Sequence, residues 1–193
     1  MRERYTTWQI FLQASFRISL KTVNTLVQAL GDGTSSGVGV RTERDEDRDF
    51  CAALYASVRS VEMEAVAWSN ELKAAFLLSQ YELQRDHYHT HYVGAYFLII
   101  ESDNLAIGRI YVHLTETELR LMDIALVEPA RGYGTGSRLI GRLVAFADAT
   151  RRCVTLHVEP DNPAQRLYAR MGFTLVEHRG PYDFLRRDPP ISS

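Results

Sequence analysis

A glycine-rich hexapeptide, Arg131-Gly132-Tyr133-Gly134-Thr135-Gly136, constrains the fold of this 193-residue chain more than any other segment. It follows an apolar, strand-like run from Met122 to Val127 and precedes a helix-like run from Ser137 to Ala149. The glycines permit a tight turn and a close approach of the backbone to a ligand. The helix N-terminus adds unpaired N–H groups and a positive dipole end. This order predicts a site for an anionic ligand, above all a pyrophosphate, with a plain flexible turn as the alternative.

Two other kinds of phosphate-binding loop do not fit the hexapeptide. The mononucleotide P-loop places a lysine and then a serine or threonine after its last glycine, whereas Ser137 and Arg138 follow Gly136. The dinucleotide fingerprint places a third glycine three residues beyond Gly-x-Gly, where this chain has Leu139. The sequence therefore disfavours an ATP site and an NAD site.

A second motif follows the hexapeptide along the chain. An apolar strand-like run ends at Val158, and the residues after it come at fixed spacing: Asn162, Ala164, Leu167-Tyr168 and Gly172-Phe173. Together with the Arg-x-x-Gly-x-Gly pattern of residues 131–136, this segment resembles the two signatures of the GNAT family of acetyl-CoA-dependent N-acetyltransferases. The resemblance extends over about residues 38–187.

The resemblance implies the GNAT acyl-CoA N-acyltransferase fold, a mixed α/β (α+β) sheet with helices on both faces. In that fold two central strands splay apart, and here they correspond to Leu119–Val127 and Cys153–Val158. The alternation of apolar residues agrees with a sheet of this kind. The strands that it predicts are Val38–Thr42, Tyr96–Glu101, Ala106–Leu114, Leu119–Val127, Cys153–Val158, Thr174–Glu177 and Asp183–Arg186.

Two predicted helices bear on the site. One follows Asn162, with Pro163 at its first helical position and Gly172 at its end. The other follows a cap at Ser69-Asn70. The apolar side of that helix is expected to comprise Leu72, Phe76, Leu77, Tyr81 and Leu83.

Acetyl-CoA is the cosubstrate that the resemblance implies. The backbone of Leu126 and Val127 would pair with the pantetheine arm in the gap between the two central strands. Asn162 would lie beside that arm, although capping of the following helix also explains this residue. The pyrophosphate would lie against the N–H groups of the loop, which comprises Arg131, Gly132, Tyr133, Gly134, Thr135, Gly136 and Ser137.

Tyr168 and Asp123 are the catalytic candidates. The resemblance places the Tyr168 hydroxyl at the thioester sulfur, where a phenol can protonate the departing thiolate; packing in the core is the alternative. Asp123 is a lone acid within the apolar run Leu121–Ala125, so it must be paired or protonated if it is buried. It is either the base that deprotonates the amine or a structural hydrogen-bond acceptor. Glu118 and Glu159 are weaker candidates for the base.

The acceptor pocket is expected around Trp68 and the segment His87–Tyr92, where members of such a family vary. The histidines at 87, 89 and 91 alternate as in a strand or loop and lack a convincing set of zinc partners, so no metal site is predicted. The implied acceptor is a primary amine, and an acid at Asp123 would favour a cationic one.

The fold does not determine whether the amine belongs to a small molecule, a peptide or a protein. A non-catalytic acyl-CoA-binding or regulatory domain is the rival function, and retention of Tyr168 argues against it.

Three segments are expected along the chain. Residues 1–37 form an extension with a helix of apolar spacing and a glycine- and serine-rich linker at residues 31–37. Residues 38–187 form the acetyltransferase domain, and residues 188–193 form a tail. The extension would pack on the domain or on a second subunit, so a homodimer is one expected arrangement.

Charge and composition bear on nucleic-acid binding, membrane spans and cellular location. A net charge of −2 and a pI near 6.3 predict no nucleic-acid partner, and no apolar run reaches the length of about 18 residues that a membrane span requires. Cys51 and Cys153 lie far apart without metal-ligand spacing. They predict reduced, buried thiols and a cytoplasmic protein.

Overall fold

The computed structural model describes residues 20–31 and 37–191. These residues form seven strands, five α-helices and two short 3-10 helices. The helices are α1 (Leu20–Leu30), α2 (Arg48–Glu64), α3 (Asn70–His91), α4 (Thr135–Ala149) and α5 (Gln165–Arg170). The strands are β1 (Val38–Thr42), β2 (Tyr96–Ser102), β3 (Leu105–Leu114), β4 (Glu118–Leu126), β5 (Cys153–Val158), β6 (Thr174–Arg179) and β7 (Tyr182–Arg187).

The strands form one mixed sheet in the order β1-β2-β3-β4-β5-β7-β6. Every neighbouring pair is antiparallel except the central pair β4 and β5, which is parallel. A parallel pair needs a crossover connection, and α4 provides it. The predicted mixed sheet is therefore confirmed.

Helices cover both faces of the sheet. Leu98 and Ile100 of β2 belong to the main apolar core together with residues of α1 and α4. Ile99, which lies between them, packs instead with Cys51 of α2 and Tyr81 of α3. Because successive side chains of a strand point to opposite faces, α1 and α4 cover one face, and α2 and α3 cover the other.

The two central strands pair over only four positions. Residues 118–121 of β4 lie opposite residues 153–156 of β5, and the pairing stops after Leu121 and Leu156. On its other edge, β4 contains one extra residue relative to β3, because Tyr111 lies opposite Asp123 while Val112 lies opposite Leu121. Met122 is therefore the extra residue of a β-bulge, which bends a strand and increases its twist. The predicted splaying of the central strands occurs at this point.

Two predictions about local structure are wrong. The histidines at 87, 89 and 91 lie on the last turns of α3, not in a strand or loop, because that helix continues without interruption to His91. Of the five residues expected to form the apolar side of α3, only Leu77 and Tyr81 are buried. The other three, Leu72, Phe76 and Leu83, are exposed.

The helix after the second motif begins later than predicted. It starts at Gln165 rather than at Pro163, since the Asn162 side chain accepts a hydrogen bond from the Ala164 N–H at 2.9 Å and forms a turn ahead of the helix.

Helix α1 belongs to the main core. Leu26 and Leu30 are fully buried among residues of the sheet and α4, and Arg142 of α4 donates a hydrogen bond to the Leu30 carbonyl at 2.9 Å. We therefore propose that the folded domain starts near Leu20, earlier than the expected boundary at Val38. Residues 1–19 and most of the expected linker lie outside the described residues. Within residues 20–31 and 37–191, no helix is long and apolar enough to cross a membrane.

Substitution of Leu26 by alanine should lower the free energy of unfolding by about 2–5 kcal/mol, because it leaves a cavity in the main core. Leu83→Ala is the matched control, since Leu83 is 63% exposed and its loss should change stability little. Urea denaturation of both variants measures the difference. Equal effects of the two substitutions would show that α1 is not part of the folded core.

Candidate active site

A cavity of about 710 Å³ opens where β4 and β5 part. It is lined by residues 121–125 of β4, residues 156–158 of β5 and Glu159, which follows β5. Helices α2 and α3 and strands β6 and β7 contribute the walls. The ionisable side chains that line it include those of Arg59, Tyr88, Arg109, Arg120, Asp123, His157, Glu159, Tyr168 and Arg179.

The glycine-rich loop leads into α4, as predicted. Gly134 caps the helix with φ of +78°, a left-handed conformation that a side chain would strain. No side chain caps the N-terminus of α4 within the described residues. Arg138 holds the loop from outside by donating to the Tyr133 carbonyl at 3.1 Å and to the Thr135 hydroxyl at 3.3 Å. The first N–H groups of α4 therefore lie without a side-chain cap at the positive end of the helix dipole, an arrangement that favours an anion.

The edge of β4 next to the gap offers fewer backbone groups than expected. Val127 donates its N–H to the Ile107 carbonyl of β3 at 2.9 Å, so this group faces away from the gap. The Val127 N–H is therefore engaged within the sheet, and the pairing of the Leu126 and Val127 backbone with a ligand stays a prediction. Since backbone groups alternate between the two edges of a strand, the Leu126 groups face the gap. The Leu126 carbonyl accepts a hydrogen bond from Arg131 Nε at 2.8 Å, which leaves its N–H for a ligand.

Gly108, which the sequence analysis overlooked, keeps this edge of β4 in place. It lies opposite Leu126, and a Cβ atom at residue 108 would come within 2.4 Å of the Ala125 carbonyl oxygen. No side chain fits there without moving β4. An isolated glycine within a strand is the sequence signal for such a close approach.

Asp123 lies on the cavity side of β4, where it is paired with a buried arginine. Arg109 Nε donates to Asp123 Oδ2 at 2.7 Å, and the Arg109 side chain is only 3% exposed. Arg109 also donates to Gln84 of α3 at 3.0 Å and lies over the rings of Tyr81 and Tyr111. The negative charge of Asp123 is thus balanced within the protein, which removes the reason to expect that it selects a cationic acceptor.

Tyr168 of α5 lines the same cavity and is almost fully buried. Its ring packs edge-on against Phe173 with centroids 5.6 Å apart. Burial and then the negative charge of Asp123 raise the pKa of Tyr168 to about 12. The phenol is therefore protonated at neutral pH and has a proton to donate.

Asn162 also lines the cavity, and its side chain forms the turn before α5. The two weaker base candidates differ in position. Glu118 lies where β4 and β5 still pair, outside the cavity, and it accepts hydrogen bonds from Arg120 and Thr155. Burial alone would raise the pKa of Glu118, but these hydrogen bonds and the charge of Arg120 outweigh burial and lower it. Glu159 lines the cavity and is paired with Arg59 at 3.0 Å.

Some of the residues expected to form the acceptor pocket line the cavity, and others do not. His87, Tyr88 and Tyr92 line the cavity, and the Tyr88 hydroxyl donates to the carbonyl of the bulge residue Met122 at 3.3 Å. Trp68 does not line the cavity and packs edge-on against Phe76 on the surface. His89 stacks on Phe97 instead. In the part of the chain that the structure describes, no three histidine, cysteine, aspartate or glutamate side chains are grouped to hold a metal ion.

Sequence reasoning missed three functional candidates, Arg109, Arg120 and His157. All three lie on strands, on the sheet face that the cavity uses. The available signal was strand alternation: His157 stands between Leu156 and Val158, which are buried on the opposite face. Only the bulge at Met122 brings Asp123 onto the same face as Arg120, and periodicity alone does not reveal a bulge.

Comparison with known proteins identifies the family to which this chain belongs. The model of the Acetyltransferase (GNAT) family matches residues 61–173, more than half of the chain. A search of curated proteins found no match.

Solved structures share the fold at low sequence identity. The chain is similar to the PaiA N-acetyltransferase from Thermoplasma acidophilum in complex with coenzyme A, with 14% identity, a TM-score of 0.59 and coverage of 79% of this chain and 99% of that chain. It is similar to a histone acetyltransferase HPA2-related acetyltransferase from Corynebacterium glutamicum, with 17% identity, a TM-score of 0.59 and coverage of 82% and 99%. An acetyltransferase from Streptococcus agalactiae has 14% identity, a TM-score of 0.56 and coverage of 80% and 99%.

Replacement of Arg109 by methionine should lower the free energy of unfolding by about 3–5 kcal/mol, because it leaves the carboxylate of Asp123 without its cation. The double variant Arg109→Met with Asp123→Asn should recover part of that loss. Arg48→Met is the control, since Arg48 forms an exposed pair with Glu82 that contributes little. Thermal and urea unfolding measure the stability of all three variants. If Arg109→Met were as stable as the Arg48→Met control, the Arg109–Asp123 pair would not hold β3 and β4 together.

Proposed function

Because this chain belongs to the GNAT family of acetyltransferases, we propose that it transfers the acetyl group of acetyl-CoA to a primary amine by direct attack in a ternary complex. Acetyl-CoA as the cosubstrate fits this family. The observation that carries the proposal is one cavity that opens where the central strands part and contains the protonated phenol of Tyr168. The loop before α4 follows the end of the β4 strand that lines this cavity.

The loop suits the pyrophosphate of coenzyme A. The N–H groups of Gly134, Thr135, Gly136 and Ser137 lie at the start of a 15-residue helix, where the dipole favours a negative charge. Gly132 has φ of +83° and open space around it, so a phosphate oxygen can approach its backbone. Arg131 and Arg138 hold the loop and add positive charge beside it.

The gap between β4 and β5 suits the pantetheine arm. The Leu126 N–H faces the gap and can donate to an amide carbonyl of the arm. Asn162 lines the opposite side. Bound in this way, the arm would extend from the loop toward Tyr168 and Asp123, which share the cavity.

Tyr168 would act as the general acid. When the amine attacks the thioester carbonyl, the C–S bond breaks and negative charge develops on sulfur. A positioned phenol that is protonated at neutral pH can donate its proton to that sulfur. Asp123, which keeps its pair with Arg109, would help to shape the cavity.

Release of free thiol from acetyl-CoA across a panel of small amines, peptides with free N-termini and lysine-containing peptides tests the proposed reaction. Thiol release that depends on the amine, with an acetylated amine as product, is the expected result. Tight acetyl-CoA binding without turnover on any member would favour a non-catalytic acyl-CoA-binding domain.

Acetyl-CoA should stabilise the protein by about 2.7 kcal/mol when its concentration is 100 times its dissociation constant. Gly134→Val should abolish this stabilisation, because valine is strained at that φ and blocks the approach of the phosphates. Gly39→Val is the control, since Gly39 lies in β1 with open space around it. Calorimetric titration of the folded variants measures binding. Stabilisation by ATP or NAD in place of acetyl-CoA would contradict the proposal.

Tyr168→Phe should lower kcat about 10²–10⁴-fold and leave the Kd of acetyl-CoA unchanged, because the hydroxyl acts only when charge develops on sulfur. Tyr96→Phe serves as the control, since Tyr96 lies on β2 outside the cavity. Single-turnover rates measure the chemical step. An unchanged chemical rate would leave water as the source of the proton.

A further inference from the structure

Arginines outnumber acids in the lining of the cavity. Its lining contains four arginines, at positions 59, 109, 120 and 179, and three acids, at positions 62, 123 and 159. Arg109 engages Asp123 at 2.7 Å, and Arg59 engages both glutamates, at 2.8 and 3.0 Å. These two arginines thus balance all three acids of the lining, and Arg120 and Arg179 are paired with none of them.

Arg120 and Arg179 lie on either side of His157 on one face of the sheet. Residues directly opposite each other on paired strands share a face, as do residues two apart on one strand. Arg120 of β4 lies opposite Thr155, two residues before His157 on β5. Across β7, His157 shares its face with Glu177, two residues before Arg179 on β6. The strand order β4-β5-β7-β6 therefore places one guanidinium on each flank of the imidazole.

Each of these two arginines is held along one edge by a glutamate of its own strand. Arg120 donates through Nε and Nη2 to one oxygen of Glu118, at 3.1 and 3.0 Å. Arg179 uses the same two nitrogens on one oxygen of Glu177. Because a guanidinium has five N–H groups in a fixed plane, these contacts orient each arginine and leave the two N–H groups of Nη1 for other partners.

The Nη1 atom of Arg179 contacts the imidazole of His157, at 3.4 Å from Nε2. An arginine can only donate, so Nε2 is the accepting nitrogen and the neutral ring carries its proton on Nδ1. Among the described residues, no acceptor bonds with His157 Nδ1 or with the second N–H of Arg179 Nη1. Two donors on the cavity side of the sheet are therefore available to a ligand.

Phe184 of β7 fixes the two groups against each other. The Arg179 guanidinium lies 3.9 Å from the centroid of this ring, and the His157 imidazole packs on it with centroids 5.0 Å apart. On the other flank, Arg120 also hydrogen-bonds with the Tyr92 hydroxyl, which lines the cavity. The donors are therefore held in position before a ligand binds, which lowers the entropic cost of binding.

The electrostatic potential at His157 is positive. Burial, then the charges of Arg120 and Arg179, lower the pKa of His157 below its usual value, and the carboxylates of Glu118 and Glu177 offset this only in part. The charges that oppose a proton on this ring would favour a negative group placed beside it.

We propose that Arg120 and Arg179 bind an oxyanion of the acceptor beside His157, so that the acceptor carries a carboxylate or a phosphate in addition to its primary amine. This inference rests on the proposed acetyl transfer. Arg179 Nη1 and His157 Nδ1 would donate to the oxyanion, and Arg120 would add its charge from the other flank. The oxyanion would lie at the end of β5, with the amine toward Tyr168 in the same cavity.

The first test compares acceptors that differ in charge at the end remote from the amine. β-Alanine and β-alaninamide form a carboxylate pair, and O-phosphoethanolamine and ethanolamine form a phosphate pair. With saturating acetyl-CoA, the wild type should show the higher kcat/KM for the anionic member of at least one pair. Arg179→Gln should lower the ratio of anionic to neutral kcat/KM about 10–10²-fold, because a hydrogen bond to a charged group is lost. Arg179→Lys, which keeps the charge, should retain part of the preference.

Arg48→Gln is the matched control for this comparison, because Arg48 forms an exposed pair with Glu82 and does not line the cavity. It should leave the ratio unchanged. A wild type that acetylates the neutral amines and prefers neither anionic partner would overturn the oxyanion site and leave the acetyl transfer standing. An Arg179→Gln variant with the wild-type ratio would also overturn the site.

The second test requires no turnover. Inorganic phosphate and acetate are titrated separately into the protein with coenzyme A bound, at constant ionic strength, and the pKa of His157 is followed by NMR. An oxyanion bound between the two arginines should raise this pKa, because a nearby negative charge favours the protonated ring. The double variant Arg120→Gln with Arg179→Gln should show no such rise with either anion.

The two anions distinguish the sources of the oxyanion. A rise with phosphate alone would support a phosphate-bearing acceptor, and a rise with acetate alone would support a carboxylate-bearing one. A wild-type pKa that neither anion moves, or a rise that persists in the double variant, would overturn the oxyanion site. A rise in a protein that acetylates no amine would overturn the proposed acetyl transfer and leave the anion site standing.

Discussion

The separation of β4 from β5 after Leu121 and Leu156 is the constraint on which the site depends. It frees one edge of β4, so that the Leu126 N–H faces a gap. It opens the cavity, and it directs the end of β4 into the loop that starts α4. The bulge at Met122 contributes by turning Asp123 to the cavity face, while the Tyr88 hydroxyl holds the carbonyl of the bulge residue. Gly108 then allows β3 to lie against the displaced segment.

Charge within the site is arranged around the buried Arg109. Arg109 joins β3, β4 and α3 through Asp123 and Gln84, with two tyrosine rings against its guanidinium. Burial of a cation and a carboxylate is costly unless both are paired, so this pair holds β4 in position. The same pairing engages the acid that the sequence suggests as the base. In the proposed reaction the neutral phenol of Tyr168 donates the proton to the departing sulfur.

The parts of the structure that could be predicted are those set by local backbone chemistry. The loop and the start of α4 follow from glycines between an apolar strand and an apolar helix stripe, and the splayed sheet followed from the family resemblance. The histidines of α3 were placed wrongly because residues 87 and 91, four apart, also share one face of a helix. The Arg109–Asp123 pair and the burial of Leu26 depend on register and on packing between distant segments. Spacing within one segment does not encode either of them.

The central claim is that coenzyme A binds along the freed edge of β4 and against the N-terminus of α4. The measurement that tests it most directly is a map of backbone amide resonances during titration with coenzyme A. The account predicts that the largest shifts occur at Leu126 and at residues 132–137, and that the Val127 amide, bonded to Ile107, shifts less. A smaller cavity of about 220 Å³ is lined by Glu43, Arg85 and His89, among other residues. Shifts concentrated at that cavity, with residues 132–137 unchanged, would contradict the account.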